Sequence, residues 1–277
     1  MNKKNRLSYI IWFVLCCLFT VVLVGPLVYS FINSLRGLYE APTFTIPRNL
    51  QWINYLYAVT LIPFVNYLKS TLIITIIKVA FGLTVSFCYA FAFARLKARG
   101  RQVLFMILLS QMMIPGIATQ IPTYITFANM GFKNTYWIWI VGGMSGDLFL
   151  IFAYKQYLEN IPREIDEAAY IDGCSFFKMI PLIYFPICKS ILVVGLFNCV
   201  QAGWGDYMTA TMYLNSKMYP LATALFSAQY SLPEDPKANV EPIKLAAAFL
   251  FAIPLLITFF FCQKQLVEGV TAGSVKG

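Results

Sequence analysis

Histidine is absent from this chain of 277 residues, and charged residues make up only 12% of it. Without histidine, the chain has no Ser-His-Asp or Cys-His set for nucleophilic catalysis. It also lacks the phosphate-binding pattern Gly-x-x-x-x-Gly-Lys-Ser/Thr; Gly173 and Lys178 come nearest but lack the second glycine. The sequence therefore predicts a protein that is not an enzyme, has no ATPase site of its own and requires no cofactor.

The cysteines show no spacing typical of metal ligands, although there are seven of them. Most lie inside apolar segments, where a free cysteine behaves as a small hydrophobic residue. We therefore expect no metal site. The cysteines are Cys16, Cys17, Cys88, Cys174, Cys188, Cys199 and Cys262.

Apolar residues dominate the composition: 59% of the chain is hydrophobic and the mean hydropathy is +0.68. These values lie outside the range of ordinary soluble domains. Several apolar runs reach the roughly 20 residues that an α-helix needs to span a bilayer. The sequence thus predicts an all-α membrane protein with six transmembrane helices, at about 9–33, 68–93, 103–127, 136–157, 188–209 and 244–263.

The lysine and arginine residues predict the orientation of these helices. With a cytoplasmic N-terminus, 13 of them fall on the inner side and 7 on the outer side, and Lys78 lies within a span. An excess of positive residues near the inner ends of spans is typical of membrane proteins. Both termini are therefore expected in the cytoplasm. The predicted parts are 1–67 (first span and outer segment), 68–263 (core of five spans) and 264–277 (cytoplasmic tail).

One long polar segment, at 160–187, interrupts the apolar core on the predicted cytoplasmic side. Pro162 suits a first helical position, and Glu164, Asp166 and Glu167 suit the first turns, where the helix dipole favours negative charge. Gly173 is typical of a left-handed helix end. Ser175 is a candidate cap for a second helix. We expect two short helices that meet at Gly173 and form a docking surface.

This segment resembles the EAA loop of ATP-binding-cassette (ABC) importer permeases. Glu167-Ala168-Ala169 is followed after three residues by Gly173, and then by Ile183-x-x-Pro186, with Phe185 where the family has leucine. Residues 161–166, 94–101, 204–206 and 269–277 are similar to the carbohydrate-importer, MalG-type branch. The resemblance implies the type I ABC importer permease fold with a cytoplasmic coupling-helix loop.

The resemblance also implies a function and partners. The chain would be one permease of a bacterial cell-membrane importer, paired with a second homologous permease and two ATP-binding subunits. An extracytoplasmic binding protein would deliver a sugar or oligosaccharide. Six residues would form the surface that docks the ATPase: Glu167, Ala168, Ala169, Gly173, Ile183 and Pro186. For the tail at 271–277, contact with the ATPases and a disordered end both remain open.

Amides and aromatic residues in the third and fifth spans are candidates for the substrate path, because sugar hydroxyls need planar hydrogen-bonding groups. The same residues equally suit contacts between helices or positions at the membrane interface. They are Gln111, Gln120, Asn198, Gln201, Trp204 and Asp206.

Lys78 needs a polar partner or water, because a lysine at the centre of a membrane helix is costly. Lys78 and Asp147 fall at similar depths in the second and fourth predicted spans, whereas Asp206 lies near the end of its span. The sequence therefore favours Lys78 and Asp147 as a pair or as neighbours in one polar cavity. Solvation of Lys78 alone by a transport pathway is the alternative.

Three other functions remain open, the last of them a purely structural membrane scaffold. The first is an ABC permease for a solute other than sugar. The second is an ion-coupled secondary transporter, in which Lys78, Asp147 and Asp206 would be the coupling residues. Nucleic-acid binding is excluded because no basic patch lies on a soluble domain.

Overall fold

A computed structural model describes residues 3–227 and 239–274, together with positions 230, 232 and 235. Within these residues the chain is helical and contains no strand. The first eight α-helices are α1 (Lys3–Ser34), α2 (Ile53–Thr60), α3 (Phe64–Ile77), α4 (Thr84–Arg95), α5 (Arg101–Ser110), α6 (Gly116–Asn129), α7 (Trp137–Met144) and α8 (Leu148–Glu159). The others are α9 (Glu164–Ile171), α10 (Phe176–Met179), α11 (Phe185–Ile187), α12 (Lys189–Trp204), α13 (Met208–Tyr213), α14 (Leu221–Ser227) and α15 (Glu241–Ser274).

Four helical stretches in the described residues are long and apolar enough to cross a membrane: Ile11–Ser34, Phe64–Arg95, Trp137–Glu159 and Glu241–Leu266. Two further pairs of helices pass the same test together, although each pair is sharply bent. The bends are 99° between Arg101–Met113 and Gly116–Asn129, and 91° between Phe176–Ile187 and Lys189–Trp204. The described chain thus provides four spans, or six if each bent pair forms one. The all-α class is confirmed.

The predicted third span is broken at Pro115. Ile114 has an extended backbone (ψ 116°) and Pro115 follows with ψ 125°. A proline disfavours the helical conformation in the residue before it and cannot donate a backbone hydrogen bond. The uninterrupted helix predicted at 103–127 is therefore two helices, α5 and α6. The predicted fourth span consists of two helices, α7 and α8, separated at residues 145–147, although Trp137–Glu159 still counts as one span by length and composition.

Two wider, π-helical stretches lie within or next to the predicted spans. Lys78–Leu83 separates α3 from α4, and Ile180–Tyr184 follows α10. Such stretches occur often at functional sites, since they change the direction in which side chains project. Lys78, the lysine predicted to lie within a span, is the first residue of the Lys78–Leu83 stretch.

The chain divides into two compact units. The first unit contains residues 1–64 and 227–253. Asn33, Arg36 and Asn54 are buried in it. The Asn54 amide donates hydrogen bonds to the carbonyl oxygens of Ser34 and Arg36 at 2.8 Å, and Arg36 Nε donates to Asn33 Oδ1 at 2.7 Å. This network orders the segment that follows α1.

The second unit contains residues 65–226 and 254–277, and its core joins α4, α8 and the polar loop. Phe87 and Phe91 of α4 are fully buried against Leu150 and Tyr154 of α8. From the loop, Ala169, Met179 and Tyr184 belong to the same cluster, together with Cys188 and Cys199. The loop is therefore packed onto the helix bundle.

Glycines allow α12 to approach its neighbours closely. A Cβ atom on Gly203 would lie 2.7 Å from Thr75 Cα, and one on Gly195 would lie 1.6 Å from Tyr154 Oη. Small residues at helix contacts are typical of membrane proteins, where close backbone approach drives packing. α12 is thereby held against both the second and the fourth predicted spans.

The C-terminal helix α15 is longer than the sixth predicted span. It runs through Ser274 and contains Pro254. The predicted cytoplasmic tail at 264–277 is therefore helical through residue 274. Residues 275–277 lie outside the described part of the chain.

Candidate functional site

The polar loop begins with α9, whose first turn contains Glu164, Asp166 and Glu167. This acidic first turn agrees with the sequence prediction, because carboxylates stabilise the positive end of the helix dipole. The start of the helix is shifted from the prediction. Arg163 occupies the position before the helix, so Pro162 precedes α9 and does not form its first residue.

The turn after α9 depends on Gly173, whose φ of +74° lies in the left-handed region. Residues with a Cβ atom are disfavoured there, so glycine suits this position. Its amide donates to the Tyr170 carbonyl at 3.0 Å. Ser175 precedes α10 as expected, but its side chain makes no capping hydrogen bond. The predicted pair of short helices on either side of Gly173 is present; the predicted serine cap is not.

The six proposed docking residues differ in exposure. Glu167, Ala168, Gly173 and Pro186 are exposed, and Ile183 is half-buried against the core. Ala169 is only 5% exposed and belongs to the core cluster. It therefore contacts its own chain, and Ala168 is the alanine of the pair that a partner can reach.

Three large side chains beside Gly173 are exposed and were missed in the sequence. Ile171 is 86% exposed, Phe177 81% and Tyr170 58%. They lie on either side of Gly173, and Glu167 is one helical turn before Ile171. Apolar side chains this exposed on a short polar segment are typical of a protein interface. Their occurrence in the long polar segment at 160–187 was the signal that could have identified them.

An ionic network fastens the loop to α4. Arg95, at the end of α4, lies 3.3 Å from Asp166 of α9, and their side chains are only 4% and 19% exposed. Arg95 also donates to the carbonyl oxygens of Leu158 and Ile161 at 2.8 and 2.9 Å. The Tyr184 hydroxyl donates to Asp166. The loop is therefore tied directly to α4 and to the backbone at the end of α8.

A cavity of about 330 Å³ lies within the second unit, away from this loop. Its charged and amide-bearing lining residues are Lys78, Asp147, Asn198 and Asp206. The other lining residues are Gly82, Thr123, Phe127, Ile138, Trp139, Gly142, Gly143, Gly146, Cys199, Ala202 and Thr209. The mixture of aromatic faces with a few convergent polar groups is typical of a small-molecule site.

Lys78 forms an ion pair with Asp206, not with Asp147 as the sequence favoured. Lys78 Nζ lies 3.3 Å from Asp206 Oδ2. Asp206 also accepts a hydrogen bond from Trp139 Nε1 at 2.7 Å and one from the Thr209 amide at 3.2 Å. The prediction failed because it compared depths of Cα atoms. A lysine side chain extends far along its helix to reach a charge near the helix end.

Asp147 has a different structural role from the one expected of an ion-pair partner. Its Oδ1 accepts the Leu150 amide at 2.9 Å and so caps the start of α8. Its own amide donates to Ser86 Oγ at 2.7 Å. Lys78 and Asp147 nevertheless line the same cavity, which was the second arrangement considered for them.

The candidate substrate-path residues are not all brought together. Asn198 and Asp206 line the cavity, whereas Gln111, Gln120, Gln201 and Trp204 do not. Gln111 lies exposed at the break between α5 and α6, and Trp204 is buried. Trp139 and Phe127, which do line the cavity, were missed because aromatic residues are common throughout this sequence.

Comparisons with known proteins agree on one class. The family model described as "Binding-protein-dependent transport system inner membrane component" matches residues 82–271. The maltodextrin transport system permease protein MdxG of Bacillus subtilis is 28% identical over 100% of this chain and 99% of its own. Protein LplC of the same species is 30% identical, covering 84% of this chain and 82% of its own.

A further relative and a solved structure extend these matches. The probable starch degradation products transport system permease protein AmyC of Thermoanaerobacterium thermosulfurigenes is 26% identical over the full length of both chains. A crystal structure of a bacterial ABC transporter involved in the import of the acidic polysaccharide alginate contains a chain with a TM-score of 0.83. That match has 22% identity and covers 95% of this chain and 98% of the other. It shows that the two chains share a fold.

Proposed function

This chain belongs to the family of binding-protein-dependent transport system inner membrane components, and we propose that it is a permease subunit of an ATP-driven carbohydrate importer. Members of this family are ABC transporter permeases, which have no ATPase site of their own. The full-length similarity to permeases named for maltodextrin and starch products supports a sugar or oligosaccharide as the substrate.

The proposed complex contains this chain, a second homologous permease and two ATP-binding subunits. An extracytoplasmic binding protein delivers the sugar. Both termini and the loop at 160–187 lie in the cytoplasm, in keeping with the greater number of positive residues on that side. The exposed loop surface formed by Glu167, Ala168, Tyr170, Ile171 and Phe177 docks onto an ATP-binding subunit.

The observation that carries this proposal is the connection between the loop and the cavity. Lys78 and Arg95 lie on one continuous helical span, separated by about 25 Å at 1.5 Å per residue. Lys78 lines the cavity, and Arg95 holds Asp166 of the loop. α8 makes a parallel connection, since Asp147 lines the cavity at its start and the Leu158 carbonyl binds Arg95 near its end. Closure of the ATPases therefore acts on the cavity through two packed helices.

The proposal is tested with membranes that contain the chain and its partners. Purification in mild detergent is expected to recover a second permease and an ATPase with this chain. Uptake of an oligosaccharide into proteoliposomes is expected to require ATP hydrolysis and to resist ionophores. Uptake that is abolished by ionophores and independent of ATP would instead identify a secondary transporter.

A further inference from the structure

The fixed charges around the cavity do not cancel. Lys78 contributes one positive charge, and Asp147 and Asp206 contribute one negative charge each. Since Lys78 pairs with Asp206 at 3.3 Å, Asp147 is the acid without an ion-pair partner, and its charge is offset only by the Leu150 amide and the positive end of the α8 dipole. No ion pair among the described residues includes Asp147. The cavity therefore has a net formal charge of minus one, located at the start of α8.

Lys78 adds no net positive charge to the cavity for an anionic ligand, because Asp206 is already its counter-charge. Its partner Asp206 has a side chain only 6% exposed, and Trp139 and the Thr209 amide hold that carboxylate in place. If Lys78 turned towards a ligand, it would leave a buried carboxylate without its counter-charge, which is strongly unfavourable. The ion pair thus neutralises the one cation that lines the cavity.

The rest of the lining suits an uncharged polyol. Asn198, Thr123 and Thr209 can donate and accept hydrogen bonds, and Phe127 and Trp139 are aromatic neighbours for a sugar ring. The volume of about 330 Å³ is at the lower end of the range for small-molecule sites. It matches one sugar unit of a longer chain better than a whole oligosaccharide.

We propose that this cavity accepts uncharged sugar units and rejects uronic acids, and that Asp147 is the residue responsible for the discrimination. The proposal rests on the proposed role in carbohydrate import. A uronate carboxylate placed in the cavity would approach the unpaired charge of Asp147 in a site partly shielded from water. Like charges repel strongly there, because the effective dielectric constant is far below that of water.

The decisive variant is Asp147→Asn. Asparagine is as good a helix cap as aspartate, so the hydrogen bond from the Leu150 amide to this side chain is retained while the charge is removed. Glu40→Gln is the matched control. It also converts an acid to an amide, but Glu40 lies outside the cavity and pairs with Arg36.

Binding is measured on the complex of both permeases and the ATPases in nanodiscs, without the binding protein, so that its own preference does not contribute. The probes are matched pairs: neutral malto-, cello- and xylo-oligosaccharides, and counterparts that carry a uronic acid unit. Ligand-observed NMR gives the ratio of the two affinities. The wild type and Glu40→Gln are expected to prefer the neutral sugar by about tenfold or more, and Asp147→Asn to lose most of that preference.

Three results would overturn the inference: equal binding of both members of a pair by the wild type, preference for the uronate, or an unchanged ratio in Asp147→Asn. If Asp147→Asn does not assemble, Asn198→Asp serves instead. A second unpaired carboxylate in the cavity should increase the preference for neutral sugars, and an unchanged or smaller preference would contradict the proposal. Failure of the intact system to take up any sugar with ATP would reject the carbohydrate importer itself.

Discussion

Single residues of the cavity depend on one another through the ion pair between Lys78 and Asp206. Their environments differ, since the Lys78 side chain is 32% exposed and the Asp206 side chain 6% exposed. Loss of the lysine leaves a buried carboxylate, whereas loss of the carboxylate leaves a lysine that water can reach. The consequences of breaking the pair therefore differ for its two members.

The first prediction concerns this ion pair. Lys78→Met is expected to destabilise the protein by about 1–3 kcal/mol, the usual cost of a buried polar group without its partner. Asp206→Asn leaves a lysine that water can reach, but the single acceptor oxygen of asparagine cannot serve both Trp139 Nε1 and the Thr209 amide, so it should cost at least as much. The double variant should be more stable than the sum of the single losses predicts, and this is measured by a double-mutant cycle of thermal unfolding in detergent. Additive losses would show that the two side chains do not interact.

The second prediction concerns the buried pair between Arg95 and Asp166. Asp166→Asn removes the charge that faces Arg95 while it leaves an acceptor for the Tyr184 hydroxyl. We expect a loss of about 1–3 kcal/mol in the free energy of unfolding and a lower ratio of transport to ATP hydrolysis. Asp172→Asn is the control, because Asp172 is exposed on the same loop and forms no ion pair among the described residues. Equal stability losses in both variants would mean that the Arg95 contact is not what holds the loop.

At the scale of elements, the loop consists of two short helices whose angle depends on one left-handed residue. Gly173 has φ +74°, and an added Cβ atom would find nothing within 4 Å. The cost of a larger residue is therefore one of backbone conformation and not of a clash. Gly131 offers a matched comparison, since it has φ +81° and equally open surroundings.

The third prediction uses this match. Gly173→Val and Gly131→Val should each cost about 1–3 kcal/mol of backbone strain. Of the two variants, only Gly173→Val should reduce binding of the ATPase or uncouple ATP hydrolysis from uptake. Gly173→Asn should be milder, because asparagine tolerates the left-handed region. If Gly173→Val transported sugar at the rate of Gly131→Val, the loop would not be the coupling element.

The fourth prediction concerns the contact of α12 with α8. In Gly195→Ala the new methyl group would overlap the Tyr154 hydroxyl, which is buried and has no hydrogen-bond partner among the described residues. Overpacking of this kind costs about 1–3 kcal/mol. Adding Tyr154→Phe should restore part of the loss, and Gly25→Ala, where the added atom contacts nothing within 4 Å, should have little effect. Thermal unfolding measures the stability of all three variants. If Tyr154→Phe restores none of the lost stability, this packing is contradicted.

The described chain contains the loop proposed for docking and a cavity, both in contact with the spans that contain α4 and α8, and no nucleotide site of its own is expected. Transport therefore has to be a property of the assembly. Residues 269–277 are another region of the sequence that resembles the sugar-importer branch, and the backbone is helical to Ser274. Contact between this end of the chain and the ATPases remains a proposal.

The fifth prediction tests that contact. Removal of residues 271–277 should leave the spans assembled, because none of these residues belongs to one. If the end of the chain touches the ATPases, hydrolysis stimulated by the binding protein should fall in the assembled complex. A variant that ends at residue 274 lacks only the last three residues. Its stimulated hydrolysis shows whether these three residues or the helical residues 271–274 are needed. Unchanged stimulation in both would remove the C-terminus from the interface.

Local chemistry in the sequence was enough to predict the helical class, the family and the loop. Apolar runs of sufficient length require helices in a membrane, because every backbone amide and carbonyl must be paired there. The acidic first turn and Gly173 predict the helix and its end through the dipole and the left-handed conformation, which depend only on neighbouring residues. The match of the family model at residues 82–271 is likewise a property of the sequence.

Long-range contacts were decided only by the tertiary structure. The partner of Lys78 depends on the reach of its side chain, on the π-helical stretch that it begins, and on the use of Asp147 as a helix cap. The burial of Ala169 and the ionic network of Arg95 likewise bring together residues from distant parts of the sequence. Periodicity and spacing report which residues are close along the chain. They do not report which of two carboxylates a lysine finds once the helices have packed.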